Sequence, residues 1–246
     1  MSTSQHRIFK GTVYGADFKT PLELVAFGNA AKCTYSVELE EKSVPDYENP
    51  GGGNQESYSR VKAAKLTLEL KKVSVANLAL ALGGSSTAIA AVAVVDEVHT
   101  AKLGCLTVLN KPQDTSAALT VKPALAGAAY VEGVDYIRKR AGIITLEGGG
   151  IEADESLKIS YAGKAGHRVE ALVDLTREHH IFLDGIDEVS GETQAPDFYR
   201  VKFQPAKSLE HIGDDFVSLT LEGQLLKDES KTGVGISQYT NITTGY

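Results

Sequence analysis

The sequence predicts a mainly β protein: a two-sheet β-sandwich or barrel with one short flanking helix at about residues 74–82, plus an inserted small β-sandwich module. Three observations support this prediction. Apolar and polar residues alternate in several segments, which is the period of a half-buried strand. Short apolar runs between residues 105 and 161 are separated by glycines and prolines, as in small sandwiches. One stretch has apolar residues at helical spacing.

The first strands lie in the N-terminal part of the chain. Residues 6–14 contain apolar side chains among polar neighbours and predict an opening strand. A clearer signal follows, in which Tyr35, Val37 and Leu39 alternate with a serine and two glutamates. This alternation predicts a strand with one apolar face.

Residues 42–57 predict a long loop. They contain two prolines and three consecutive glycines and have no apolar periodicity. Long loops in compact domains are usually functional or disordered. Sixteen residues reach at most about 50–55 Å when extended, which is enough to contact a neighbouring molecule.

A strand resumes at Tyr58 and runs towards the helix. Leu66, Leu68 and Leu70 alternate with polar residues, whereas the apolar residues before them have the opposite parity. A β-bulge near residues 63–64 would reconcile the two halves of the strand.

The predicted helix has recognisable ends. Ser74 is a favourable N-cap, and Gly83 is a favourable stop signal. Val75, Leu78 and Leu82 fall on one face between them. A helix of about two turns is not stable alone, so we expect it to pack on the sheet.

Residues 85–167 predict a separate module. Their short strands are punctuated by glycine-containing turns, and about 80 residues suffice for an independent domain. We therefore expect a discontinuous main domain of residues 1–84 and 168–246, with the module inserted at a loop, where insertions are tolerated.

The C-terminal part returns to the main sheet. Residues 179–184 and 199–203 alternate as strands, and Pro205, which has no N–H to donate, ends the second of them. Residues 219–222 alternate again. The remaining tail, residues 229–246, is rich in glycine, serine and threonine, and such termini are usually disordered unless they dock on a partner.

Composition limits the classes of function. The chain of 246 residues has a formal net charge of -7, which argues against gripping a nucleic-acid backbone. Two distant cysteines form no disulfide framework. The N-terminus has no apolar signal region, and the apolar run at residues 89–95 is far shorter than the roughly 20 residues that span a bilayer. We expect a protein without membrane contact.

No group of residues predicts catalysis. His179 and His180 lie beside Asp184, but neighbouring residues on a strand point to opposite faces and do not readily share a metal. Residues 51–53 are all glycine, yet no Lys-Ser/Thr pair follows them, as a phosphate-binding loop requires. The acidic residues at 152–155 lack the spacing of a calcium loop and predict a solvated turn. We expect neither enzyme activity, nor a cofactor, nor a metal.

The order of these elements resembles the tail tube, or major tail, proteins of long-tailed bacteriophages. The resemblance is carried by HHIFLDGID (179–187), FYRVKFQPAKSLEHIGDDFVSLTLEGQLLKD (198–228) and GISQYTNI (235–242). In addition, VEGVDYIRKRAGIITLEGG (131–149) and LKISYAG (157–163) resemble a small β module that is common in phage structural proteins. The resemblance is one of pattern and order along most of the chain.

The resemblance implies a homo-hexameric ring that stacks into a hollow tube, through which DNA passes without specific binding. It implies that residues 42–57 reach the adjacent ring and that the C-terminal arm lies on a neighbouring subunit and becomes ordered on assembly. The implied inter-ring residues are Pro45, Tyr47, Pro50, Gly51, Gly52 and Gly53. The implied arm contacts are Ile236, Tyr239 and Ile242, and the possible lumen carboxylates are Glu38 and Glu40.

The same resemblance implies the partners and the location. The partners would be further copies of the chain, a tape measure protein and a tail terminator. The protein would belong to the virion tail and be assembled in the cytoplasm of the bacterial host. A contractile sheath leaves little space around the tube, so an inserted module on the tube exterior favours a non-contractile tail.

Other classes compete with this interpretation. A secretion-system-type tube component shares the ring architecture, although an inserted module is unexpected there. A surface- or carbohydrate-binding β module would require exposed aromatic platforms, and the chain has no tryptophan and 7% aromatic residues. An enzyme is disfavoured by the missing catalytic constellation.

Overall fold

The computed structural model describes residues 6–245, and this part of the chain is mainly β, as the sequence predicts. The first half contains β1 (Phe9–Asp17), β2 (Val25–Gly28), β3 (Ala30–Pro45), β4 (Asn54–Leu70), α1 (Val75–Ala81), β5 (Ser85–Ile89), β6 (Val94–Thr100), β7 (Leu106–Val108) and β8 (Leu119–Pro123). The second half contains β9 (Tyr136–Lys139), β10 (Gly142–Thr145), β11 (Ser156–Tyr161), β12 (Gly166–Glu170), β13 (His179–Asp187), β14 (Thr193–Gln204), β15 (Leu219–Leu225) and β16 (Thr240–Thr244).

The chain divides into two compact units. The first comprises residues up to 86 together with residues from 169 onward, and the second comprises residues 87–168. The sequence-based division was placed after residues 84 and 167. Residues 1–5 and 246, which that division also assigned to the main domain, lie outside the described range.

One large sheet contains most strands of the first unit. Its strand order is β2-β1-β13-β14-β15-β4-β3. Strand β14 pairs with β13 along one edge, while its other edge pairs with β16 at residues 194–198 and with β15 at residues 201–204. The core comprises Val13, Ala64, Leu66, Leu68, Leu70, Ala81, Ile181, Phe198, Val201, Phe203, Leu219, Leu221 and Leu225.

The sheet curls on itself. Strands β14 and β3 are three positions apart, which would separate them by about 14 Å in a flat sheet. Nevertheless, the rings of Tyr35 on β3 and Phe198 on β14 lie 5.8 Å apart, centroid to centroid. The core therefore lies between two parts of one curved sheet, in a sandwich-like arrangement.

The helix forms where the sequence predicts it. The Ser74 hydroxyl accepts a hydrogen bond from the Asn77 backbone N–H at the N-terminus. At the C-terminus Gly83 takes a left-handed φ of 56°, and the N–H groups of Gly83 and Gly84 donate to the carbonyls of Leu80 and Ala79. These two bonds form a Schellman motif.

The second unit contains two three-stranded antiparallel sheets, β7-β10-β9 and β6-β11-β8. Its own buried core comprises Ala101, Leu109, Val121, Tyr136, Ile143, Ile151, Leu157, Ile159 and Tyr161. A small β-sandwich thus interrupts the main fold between α1 and β13.

The predicted loop at residues 42–57 is wrong in its extent. Strands β3 and β4 pair from Ala30↔Leu70 to Pro45↔Asn54, so these residues form the outer end of a long hairpin around a tip of residues 46–53. Lys62 is the extra residue of a bulge beside the predicted position 63–64. The pattern did not indicate strands because both faces are exposed here, which removes the apolar alternation on which the prediction depended.

The C-terminal arm contains a strand in the single chain, where residues 240–244 form β16 against β14. The contact of the arm with a neighbouring subunit, which the resemblance implies, stays a prediction. The edge of β14 offers unpaired backbone groups at this point, and β16 satisfies them. Residue 246, the last of the predicted arm, lies outside the described range.

Candidate assembly surface

The β3–β4 hairpin extends beyond the sheet. Strand β15 pairs with β4 only along residues 65–70, with Gln224↔Lys65 as the outermost pair. Farther out, in the described part of the chain, β4 pairs with β3 alone. A two-stranded ribbon is marginally stable in water by itself, so this extension gains stability when something covers it.

One face of the extension is apolar and uncovered. The register pairs Tyr35 with Leu66, Val37 with Ala64 and Leu39 with Val61, which puts the strip on the same face as the core. The exposed fractions are 40% for Tyr35, 41% for Val37, 62% for Leu39 and 46% for Val61. We call these four residues the apolar strip. It continues the core of the first unit into solvent.

The opposite face of the hairpin carries the two predicted lumen carboxylates. Glu38 accepts a hydrogen bond from the Lys65 ammonium at 2.5 Å, and Glu40 pairs with Arg60 at 2.6 Å. The hydrogen bond from Lys65 lowers the pKa of Glu38. Each carboxylate therefore has a cationic neighbour, which weakens the repulsion that it could exert on a phosphate.

The predicted inter-ring residues gather at the end of the hairpin. Pro45 closes β3, and Tyr47, Pro50 and residues 51–53 lie in the tip. The Asp46 carboxylate accepts hydrogen bonds from the backbone N–H groups of residues 48 and 49, which shapes the turn. Residues 51–53 all have positive φ and open space around their Cα atoms. Tyr47 is 86% exposed, so the tip presents an aromatic side chain to solvent.

An apolar pocket of about 200 Å³ opens at the root of the strip. Phe9, Cys33, Tyr35, Leu183 and Phe198 contribute to its wall. Burial raises the pKa of the Cys33 thiol to about 11. Sequence reasoning missed this pocket because its residues come from strands that are far apart in the chain.

The predicted arm residues lie in different places. Ile242, on β16, lines the pocket and is 54% exposed. Tyr239 packs against the core of the first unit, and its carbonyl accepts a hydrogen bond from the Tyr199 N–H. Ile236 precedes β16 in a turn and is 53% exposed. Of these three arm residues, Ile242 is the one that joins the surface formed by the pocket and the apolar strip.

The paired histidines contact different neighbours. His179 lies 5.7 Å from Phe203, ring to ring, and burial lowers the pKa of this histidine. Its buried Nε2 atom makes no hydrogen bond to the described residues. His180 instead contacts the Asp197 carboxylate at 2.5 Å. Within residues 6–245, no cluster of three or more His, Cys, Asp or Glu residues has the arrangement of a metal site.

A cluster of polar contacts around Glu97 lies in the inserted unit. The Glu97 carboxylate contacts His99 at 2.5 Å and accepts hydrogen bonds from the Tyr161 hydroxyl and the Asn110 N–H. Burial and the bond to Glu97 raise the pKa of Tyr161 to about 12. These contacts link β6, β11 and the segment after β7, so the cluster acts as a cross-brace of the sandwich.

The described residues include no helix that is long and apolar enough to cross a membrane. The molecule is thus a mainly β protein with an inserted β-sandwich and an uncovered apolar strip on a projecting hairpin. A model of the family described as "Protein of unknown function UCP028589" matches residues 7–243, and the chain belongs to this family. No curated protein matches the sequence significantly.

Proposed function

We propose that this chain is the tail tube protein of a long-tailed bacteriophage, of the non-contractile kind. Copies assemble into rings, hexameric by resemblance, and the rings stack into the hollow tube through which DNA passes. The tape measure protein would occupy the growing tube, and a terminator would close it. The protein would then be part of the virion tail, assembled in the host cytoplasm, with a structural rather than a catalytic role.

The projecting hairpin is the observation that carries the proposal. Val37, Leu39 and Val61 expose apolar surface on a ribbon that has no third strand among the described residues. Contact with another copy buries this surface and supports the ribbon at the same time. The predicted inter-ring residues at the tip would then reach a subunit beyond the first neighbour.

The distribution of charge agrees with a passage for DNA. The inserted unit contains nine acidic and nine basic residues, so the net charge of -7 belongs entirely to the first unit. A tube wall made from this unit is acidic overall and does not retain phosphates. This field arises from the unit as a whole, since Glu38 and Glu40 are ion-paired.

The test is electron microscopy of the concentrated full-length protein beside two lysine variants. Leu39→Lys places a charge on the apolar strip, and Ser36→Lys places the same charge on the opposite face of the same strand. Leu39 is 62% exposed in the single chain, so its replacement leaves the monomer folded. We expect rings or tubes from the wild type and from Ser36→Lys, and dispersed particles from Leu39→Lys.

Two results would contradict the proposal. If the wild-type protein stays monomeric in analytical ultracentrifugation at the highest attainable concentration, self-assembly is ruled out. Tubes formed equally well by Leu39→Lys would show that the apolar strip is not an assembly surface. Thermal unfolding of all three proteins provides the control for folding.

A further inference from the structure

The pocket and a fully exposed aromatic side chain occur on the same molecule. Phe216 lies in the segment between β14 and β15 and is 97% exposed. Transferring an exposed aromatic ring from water into an apolar site on a partner is strongly favourable. The pocket of about 200 Å³ offers such burial. An apolar cavity of about 150 Å³ already accepts benzene, so a phenyl ring fits.

Phe216 and the pocket lie at opposite ends of strand β14. The pocket uses Gln194, Pro196 and Phe198, whereas the segment carrying Phe216 starts after Gln204. Pro196 and Gln204 are about 27 Å apart along an extended strand. The segment also returns to the sheet at this end, because β15 starts at Leu219 and pairs Glu222 with Gln204. Phe216 therefore meets a pocket only on another molecule.

A contact between different patches on identical chains is heterologous. Repeating it produces a closed ring when the rotation closes and a filament when it does not. The pocket also adjoins the apolar strip through Tyr35, so a neighbour whose side chain enters the pocket lies beside the strip and covers it. The pocket and the apolar strip then belong to one interface.

We propose that Phe216 of one copy inserts into the pocket lined by Phe9, Cys33, Tyr35, Leu183 and Phe198 of the next copy. This inference rests on the proposed function and names the contact that joins the subunits. The occupant of the pocket is a second copy of this chain, and the contact is head-to-tail.

Native Cys33 permits a direct test. In a Cys105→Ser background, which leaves Cys33 as the only native cysteine, we would introduce Phe216→Cys and treat the concentrated protein with a short bifunctional thiol cross-linker. A cross-linker is preferred to oxidation because cysteine is shorter than phenylalanine and need not reach disulfide geometry. Burial raises the pKa of the Cys33 thiol to about 11, so the reaction is followed at the most alkaline pH at which the protein stays folded.

The expected product is a ladder of covalent dimers, trimers and larger species on a denaturing gel, because each chain offers two different thiols. Removing the pocket thiol with Cys33→Ser leaves only the thiol introduced by Phe216→Cys and limits the products to dimers. Leu125→Cys in the same background is the matched control, since Leu125 is 86% exposed but lies in the inserted unit. It should give no ladder.

A second variant measures the strength of the contact without a cross-linking reaction. Phe216→Ala should raise the protein concentration required for assembly at least about 30-fold, which is the effect of removing an aromatic hot spot. Its thermal unfolding should match the wild type, because Phe216 contacts solvent in the single chain. Leu125→Ala should assemble like the wild type.

The outcomes separate the contact from the proposed function. Phe216→Ala that assembles at the wild-type concentration, or tubes of the cross-linking variant that form at a raised concentration without a ladder, overturn the contact and leave the tail tube proposal standing. A ladder from Leu22→Cys but not from Phe216→Cys overturns it as well, because Leu22 is similarly exposed and another side chain would then occupy the pocket. A wild type that never assembles overturns both.

Discussion

His180 is the side chain through which we expect the stability of the fold to depend on pH. Its Nε2 atom faces the Asp197 carboxylate at 2.5 Å, and its Nδ1 atom faces the Pro21 carbonyl at 3.1 Å. Both partners are acceptors, so only the doubly protonated ring donates to both. The hydrogen bond to Asp197 raises the pKa of His180.

The sign of the effect on stability follows from that shift. Because the folded-state pKa lies above the unfolded value, the contribution is complete below about pH 6.5 and is lost as the pH rises through the raised value. The pair is partly exposed, so we expect a loss of no more than about 1 kcal/mol in the free energy of unfolding. Urea denaturation of the wild type and His180→Gln, from below about pH 6.5 to above the raised pKa, measures this change in the free energy of unfolding.

The variant should lack this part of the pH dependence. His211→Gln is the matched control, because His211 lies in an exposed segment between β14 and β15 and should retain the wild-type profile when replaced. Parallel profiles for the wild type and His180→Gln would contradict the prediction, because they would show that the pKa of His180 is the same in the folded and the unfolded protein.

At the scale of elements, the sequence predicted strands well where one face is buried and poorly where neither is. Leu66, Leu68 and Leu70 alternate because β4 packs on the core there, and the prediction was correct. The outer hairpin has no buried face in the single chain, so its sequence lacks apolar alternation and predicted a loop. The alternation of Val37 and Leu39 did appear, yet these residues are exposed in the single chain, as the proposed assembly surface requires.

The pocket and the C-terminal strand lay beyond sequence reasoning for a different reason. Both depend on which strands become neighbours when the sheet curls, and periodicity within one segment carries no such information. Asn77 is a further example. It is buried in the helix because its amide donates to the Phe27 and Lys72 carbonyls, a contact that no local pattern indicates.

Strand β16 yields a prediction of its own. Since residues 240–244 pair with β14 within one chain, their backbone amides should exchange with solvent more slowly than those of residues 210–216 in the dilute monomer. Hydrogen exchange followed by mass spectrometry measures the difference. The exposed segment at 210–216 is the internal control, because it lacks strand pairing in the same chain.

Exchange of residues 240–244 at the rate of that control segment would contradict the intramolecular pairing. If these amides were then protected from exchange only in assembled protein, the arm would pair with a neighbouring subunit, as the resemblance implied. Slow exchange in both states would instead make Ile242 a fixed wall of the pocket.

At the scale of the whole molecule, the inserted unit can be removed without cutting through either core. Each unit has its own buried cluster, and the chain passes from one unit to the other after residues 86 and 168. Joining residue 86 to residue 169 through a short glycine-serine linker should therefore leave the first unit folded. Circular dichroism and cooperative thermal unfolding of the deletion variant check this expectation.

The same variant tests where the inserted unit lies in the proposed tube. The apolar strip, the pocket and Phe216 all belong to the first unit, so assembly should survive the deletion. If the inserted unit lies on the tube exterior, the outer diameter in electron micrographs should shrink while the axial repeat and the lumen stay the same. A widened lumen would place the unit inside the tube, and a changed axial repeat would place it between rings. Either result would remove the reason for preferring a non-contractile tail, because that preference depends on an exterior too crowded for a closely fitting sheath.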